Sequence, residues 1–140
     1  MADKIQLRLV TPTRLLLDEE VDEVTAPGVM GEFGVLPNHI AFLTILQPGE
    51  LAYKQGGKAT RLAVAGGYAE VLDNVMTVLA DAAEFADEID VARAQRAKEE
   101  AEKNLAAAAA SPEERELALW EAAVKRAAVR LEVASKEARR

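Results

Sequence analysis

Every glycine of this chain lies at or before Gly67, whereas Ala86 to Arg140 contains no glycine and 17 of the 28 alanines. Glycine opens the positive-φ backbone that tight turns need, and alanine is the strongest helix former. The chain must therefore change character near residue 86, from a turn-rich β half to a glycine-free helical arm. A compact body with a separable arm works by touching other proteins, and no catalytic pocket has to be invoked for it.

The 140 residues can bury one modest core in the first part and little in the second. Residues 1–86 carry 6 Lys and Arg against 12 Asp and Glu, while residues 87–140 carry 11 against 12, so the acidity sits in the body and argues against nucleic acid as its partner. With no cysteine, one histidine and scattered carboxylates there is little from which to build a nucleophile, a base or a metal cluster. The reading is a protein with no active site of its own, no metal and no required cofactor. Met1 leads directly into Ala2-Asp3-Lys4, and no run approaches the roughly 20 apolar residues of a membrane span, so any membrane association should be peripheral.

The body, residues 1–86, predicts an antiparallel β-sandwich. Ile5, Leu7 and Leu9 alternate with polar residues and share one face. Further apolar runs at 15–17, 21–25, 41–46, 51–54, 60–65, 68–72 and 75–80 have the spacing of a sandwich, with the acidic triplet Asp18-Glu19-Glu20 read as a break between two of them. Gly56-Gly57 and Asp73-Asn74 suit tight hairpins, and Gly66-Gly67 suits a bulge. Gly28, Gly31 and Gly34 read as turning points of the backbone; their spacing is wrong for a dinucleotide fingerprint, and Gly56-Gly57-Lys58-Ala59 lacks the hydroxyl residue of a phosphate loop.

The arm, residues 87–140, predicts a helical hairpin with helices at about 90–109 and 112–138. Asp90 is placed to cap the first, whose stripe is Ala94, Ala97, Ala101, Leu105 and Ala108, with Glu99 and Lys103 paired on the wet side. Ser111, Pro112 and Glu114 read as cap, first helical residue and capping-box partner of the second. Its stripe is Leu117, Trp120, Val124, Ala127, Leu131 and Ala134, with Lys136, Arg139 and Arg140 at the end that the helix dipole prefers. A buried alanine contributes far less than the roughly 1.5–3 kcal/mol of a buried leucine, so the hairpin should be weakly attached yet intrinsically helical: a movable rod.

The segment Ala26-Pro27-Gly28-Val29-Met30-Gly31-Glu32-Phe33-Gly34-Val35-Leu36-Pro37-Asn38-His39 is the most distinctive in the chain. It is followed in order by Gln47-Pro48-Gly49-Glu50-Leu51, by Ala65-Gly66-Gly67-Tyr68-Ala69-Glu70-Val71 and by Glu88-Ile89-Asp90-Val91-Ala92-Arg93-Ala94. Together these motifs resemble the epsilon subunit of the F-type ATP synthase over essentially the whole chain. The resemblance implies the same sandwich followed by two helices, and a place at the foot of the rotor stalk against the gamma subunit and the ring of c subunits. It also implies an arm that extends toward the alpha and beta subunits to oppose ATP hydrolysis, and a peripheral location on the cytoplasmic side of a bacterial inner membrane.

The resemblance further makes Glu32 and His39 candidate contacts to the c ring, although each also reads as an ordinary polar loop residue. Lys125, Arg126, Arg130 and Lys136 become candidate contacts to the beta subunit, or simply the solvated face of a helix. Some bacterial relatives bind ATP in the folded hairpin, which would place a regulatory nucleotide at Ile89, Asp90, Arg93, Ala94, Arg126 and Arg130 and make the chain an ATP sensor. Leu119 stands where such binders have another arginine. The plainer reading, in which Asp90 caps its helix and Arg93 pairs with neighbouring carboxylates, is preferred.

Overall fold

A computed structural model describes residues 3–110 and 113–138; Ser111 and Pro112, expected from the sequence to cap the second helix, and the terminal Arg139 and Arg140 lie outside the described residues. The chain divides into two compact units, residues 1–85 and 86–140.

The first unit contains ten strands: β1 (Ile5–Val10), β2 (Leu15–Val21), β3 (Glu23–Gly28), β4 (Gly31–Val35), β5 (Phe42–Leu46), β6 (Gly49–Gln55), β7 (Lys58–Val64), β8 (Gly67–Leu72), β9 (Val75–Ala80) and β10 (Ala83–Phe85). They pair in the order β10-β7-β6-β3-β5-β8-β9-β1-β2, with β4 on the far side of β3. The link between β3 and β5 is the single pair Gly28↔Leu46, so the path divides there into two leaves. Gln47 holds this corner, its backbone N–H donating to the Pro27 carbonyl at 2.9 Å and its Nε2 to the Gly28 carbonyl at 3.0 Å.

Period-two alternation decides which side chains meet between the leaves. Ile5, Leu7 and Leu9 are fully buried, and they share a core with Val24, Leu51, Leu62, Val71, Met76 and Val78. Tyr53 lies in the same core, where burial raises its phenol above the ordinary value of 10.0 while a hydrogen bond with Thr60 acts the other way. All pairings are antiparallel except β1 with β9, which run parallel. These two strands lie at opposite ends of the body's sequence, so the whole sandwich serves as their connection and no crossover helix is required.

Four local expectations change. The acidic triplet does not interrupt the chain: β2 runs through Asp18-Glu19-Glu20, because it lies at the end of the sheet path with these carboxylates exposed. There they meet Gln6, Arg8 and Gln55. The segment of Gly31 and Gly34 is strand rather than pure turn, and of Gly28, Gly31 and Gly34 only Gly31 has positive φ, at 123°. Gly66 makes the bend between β7 and β8 and Gly67 opens β8, instead of the pair forming a bulge within a strand. A Cβ on Gly67 would stand 2.0 Å from the Leu79 carbonyl oxygen, so glycine here lets two backbones approach. Strand β10 and the short 3₁₀ turn Ala86–Glu88 had no signal in the alternation pattern. The expected hairpin turns do form, with positive φ at Gly56 and Gly57 and at Asp73 and Asn74.

The second unit contains α1 (Val91–Ala108) and α2 (Glu114–Ala138). Asp90 caps α1, its side chain accepting from the Arg93 backbone N–H at 3.1 Å. The buried seam of α1 is narrower than the expected stripe. Ala94, Ala101 and Ala108 are buried seven residues apart, Leu105 is half-buried, and Ala97 is exposed. Across from them α2 buries Ala127, Val133 and Ala134 and half-buries Leu117, Trp120, Val124 and Leu131. Methyl groups at this spacing let the helices approach closely but remove little apolar surface from water.

Candidate functional site

The β3–β4 hairpin projects its turn, Val29-Met30, into solvent, and Met30 is 95% exposed. Glu32 follows on β4 with its side chain exposed. His39 sits in the next loop, half-buried, with its Nδ1 2.7 Å from the Ile40 carbonyl oxygen. A carbonyl can only accept, so this contact places a proton on Nδ1. The His39 ring meets Phe42 edge-on at 5.9 Å, and Phe42 meets Phe33 at 5.3 Å, so an aromatic chain ties the loop of His39 to the strand that carries Glu32.

Asn74 holds the same loop from the other side. The Asn38 backbone N–H donates to Asn74 Oδ1 at 2.8 Å, while Asn74 Nδ2 donates to the Lys4 carbonyl at 2.8 Å. The Asn74 carbonyl in turn accepts from the Gln6 N–H at 3.2 Å. One turn residue thus fixes the entry to β1 and the loop at Asn38, whose own φ is 68°.

A second surface was not foreseen from the alternation of residues. On the leaf β5-β8-β9-β1-β2 the register aligns Ile45 with Tyr68, Tyr68 with Leu79, Leu79 with Val10 and Val10 with Leu15. Ile45 is 52% exposed, Tyr68 55% and Leu79 51%, while their strand neighbours Leu46, Ala69, Val78 and Ala80 point into the core. An apolar row therefore crosses the outer face of five strands. Its signal was present in the sequence: Phe42-Leu43-Thr44-Ile45-Leu46 is apolar at both parities, which a strand covered on one face alone does not need. Contiguous exposed apolar surface of this kind is suited to being covered by a partner.

In the second unit the nucleotide candidates divide by environment. Ile89 and Ala94 are buried, Asp90 is the cap of α1, Arg93 and Arg126 are exposed, and Arg130 is half-buried. Of the other basic candidates on α2, Lys125 is exposed, and Lys136 is half-buried and lies 3.9 Å from Glu132. Among the described residues no group of three or more His, Asp or Glu is placed to hold a metal ion, and no helix is long and apolar enough to cross a membrane.

Comparison with known proteins agrees with this architecture. The family model for the β-sandwich domain of the ATP synthase delta/epsilon chain matches residues 4–86, and that for the family's long α-helix domain matches residues 87–135. The chain is 51% identical to the ATP synthase epsilon chain of Geotalea uraniireducens and 50% identical to that of Geobacter sulfurreducens, with both chains fully covered in each case. Among solved structures, a chain of the Euglena gracilis mitochondrial ATP synthase OSCP/F1/c-ring assembly superposes with a TM-score of 0.80 at 28% identity, covering 100% of this chain and 84% of that one. A chain of the Tetrahymena thermophila central stalk and c-ring shares the fold with a TM-score of 0.58 at 18% identity, covering 94% of each.

Proposed function

The chain belongs to the ATP synthase delta/epsilon family, and from that premise we propose that it is the epsilon subunit of an F-type ATP synthase. In this reading it is a non-catalytic part of the central stalk. Its sandwich docks on the gamma subunit and the c ring during proton-driven ATP synthesis, and its helical arm restrains ATP hydrolysis. The observation that carries the reading is the apolar row Ile45, Tyr68, Leu79, exposed side by side on the sheet. Such a row is costly to leave wet and suits a long-lived partner. The tip of the β3–β4 hairpin, with Glu32 and the neighbouring His39 loop, would face the c ring. The basic residues Lys125, Arg126, Arg130 and Lys136 of α2 would meet an acidic segment of the beta subunit when the arm extends toward alpha and beta, with a strength that falls as salt rises. The complex would place the chain peripherally on the cytoplasmic face of a bacterial inner membrane.

Binding of the full chain to its purified gamma subunit tests the docking. A charge placed in the row, Leu79→Asp, should weaken that association by about tenfold or more while the free chain keeps its melting temperature. Unchanged binding would remove the row from the interface.

A regulatory nucleotide is the second reading, supported by Arg93 and Arg126 both being exposed and so open to a polyphosphate. Calorimetric titration of the chain with Mg-ATP should then give saturable heat that Arg126→Ala abolishes, whereas no heat with the unaltered chain would confine Asp90 and Arg93 to helix capping.

A further inference from the structure

Strands β5, β8 and β9 carry a single charged residue, Glu70, and a partner covering their outer face must answer it. On β8 the outward residues are Tyr68, Glu70 and Leu72, so the carboxylate has an apolar side chain two residues away on either side. Across the sheet the register sets Glu70 opposite Leu43 on β5 and opposite Thr77 on β9. Leu43 is 71% exposed, and the diagonal neighbours Ile45 and Leu79 belong to the apolar row. The next charge along this line is Arg8, opposite Thr77 on β1, and its Nε lies 3.7 Å from Asp18 on β2. Arg8 is thus engaged by the strand on its far side.

A partner that covers this face takes Glu70 out of water together with its apolar neighbours. An ionised carboxylate desolvated without a counter-charge is penalised heavily enough to cancel much of what the surrounding apolar contact contributes. With a cation opposite it, the same carboxylate fixes the register of docking and excludes partners that lack the cation. We infer that the protein partner seated on the β5-β8-β9 face presents a lysine or arginine side chain against Glu70. This rests on the proposed docking to the gamma subunit and specifies the chemistry of the surface that docks there.

Affinity of the full chain for purified gamma, measured at low and at moderate salt, tests this with three variants. Glu70→Gln should weaken binding about tenfold and flatten its salt dependence, and Glu70→Lys should weaken it about thirtyfold or more. Both should leave the melting temperature of the free chain close to wild type, because Glu70 lies on the solvent face. Leu79→Asp serves as the control for docking itself. If Leu79→Asp weakens binding while both Glu70 variants bind as wild type with unchanged salt dependence, the face docks but no cation meets Glu70, and the inference is overturned. If none of the three changes binding, the docking reading fails and the inference fails with it.

Discussion

At the scale of single residues, a few polar side chains decide how the sandwich is fastened at its rim. Asp22 joins β2 to β3, receives a hydrogen bond from Lys4 and accepts from the Gly56 N–H at 2.8 Å, so it gathers β1, the β2–β3 corner and the β6–β7 turn. The Lys4 hydrogen bond first, and the Gly56 N–H second, hold its carboxyl below the ordinary 3.8. A group whose pKa falls on folding stabilises the native state above its unfolded value and loses that contribution as pH drops through the folded one. Asp22→Ala should therefore melt below wild type at neutral pH, and the gap should narrow as acid titrates the wild-type carboxylate below about 3.8; melting curves from pH 7 to 2 check this. Asn74 predicts a local effect. Asn74→Ala removes the acceptor for the Asn38 amide, so hydrogen exchange there should accelerate markedly, whereas Asn74→Asp keeps an acceptor and should restore slow exchange. Gly67→Ala drives a Cβ into the Leu79 carbonyl and should cost at least about 2 kcal/mol in denaturant unfolding.

At the scale of elements, strong alternation was easy to read and apolar ambiguity was not. Ile5, Leu7 and Leu9 announce β1 because polar residues separate them, and Asp90 announces the start of α1 because a short acidic side chain there can accept from the first turn. The glycine-rich segment after Gly28 concealed β4, since glycine weakens any strand pattern while the ladder to β3 depends only on backbone groups. The acidic triplet concealed the length of β2, because an edge strand tolerates consecutive charges that an interior strand cannot. The outer apolar row was hidden for a different reason: its residues lie on five strands, and only the register brings them into line. Glu32 and His39 were marked by resemblance alone, and the aromatic chain through Phe42 that links their segments appears only in three dimensions. The alanine seam of α1 yields its own prediction. Ala101→Leu forces a large side chain between helices spaced for a methyl group and should destabilise their packing by about 1–3 kcal/mol. The fluorescence of Trp120, the single tryptophan, should report that loss at lower denaturant than the far-UV signal of the sandwich.

At the scale of the whole molecule, the two units differ in what holds them. The core of the sandwich is closed by leucine, isoleucine, valine and methionine side chains, and no charged residue is buried as a whole among the described residues, whereas α1 contributes only alanines to the fully buried seam of its hairpin. Large side chains removed from water give a body that persists, and methyl groups on strong helix formers give rods that remain helical when their contacts change. The proposed role, a stalk subunit with a conditional brake, would need this division of labour: a base that stays on its partner, and an arm whose position its surroundings decide. Amide hydrogen exchange on the chain within its assembled ATP synthase, compared between ATP-rich and ADP-rich conditions, tests that division most directly. The account predicts that protection along α1 and α2 shifts between the two conditions while β1, β8 and β9 exchange slowly in both. Protection of α1 and α2 as strong as that of the sandwich, and the same in both conditions, would contradict it.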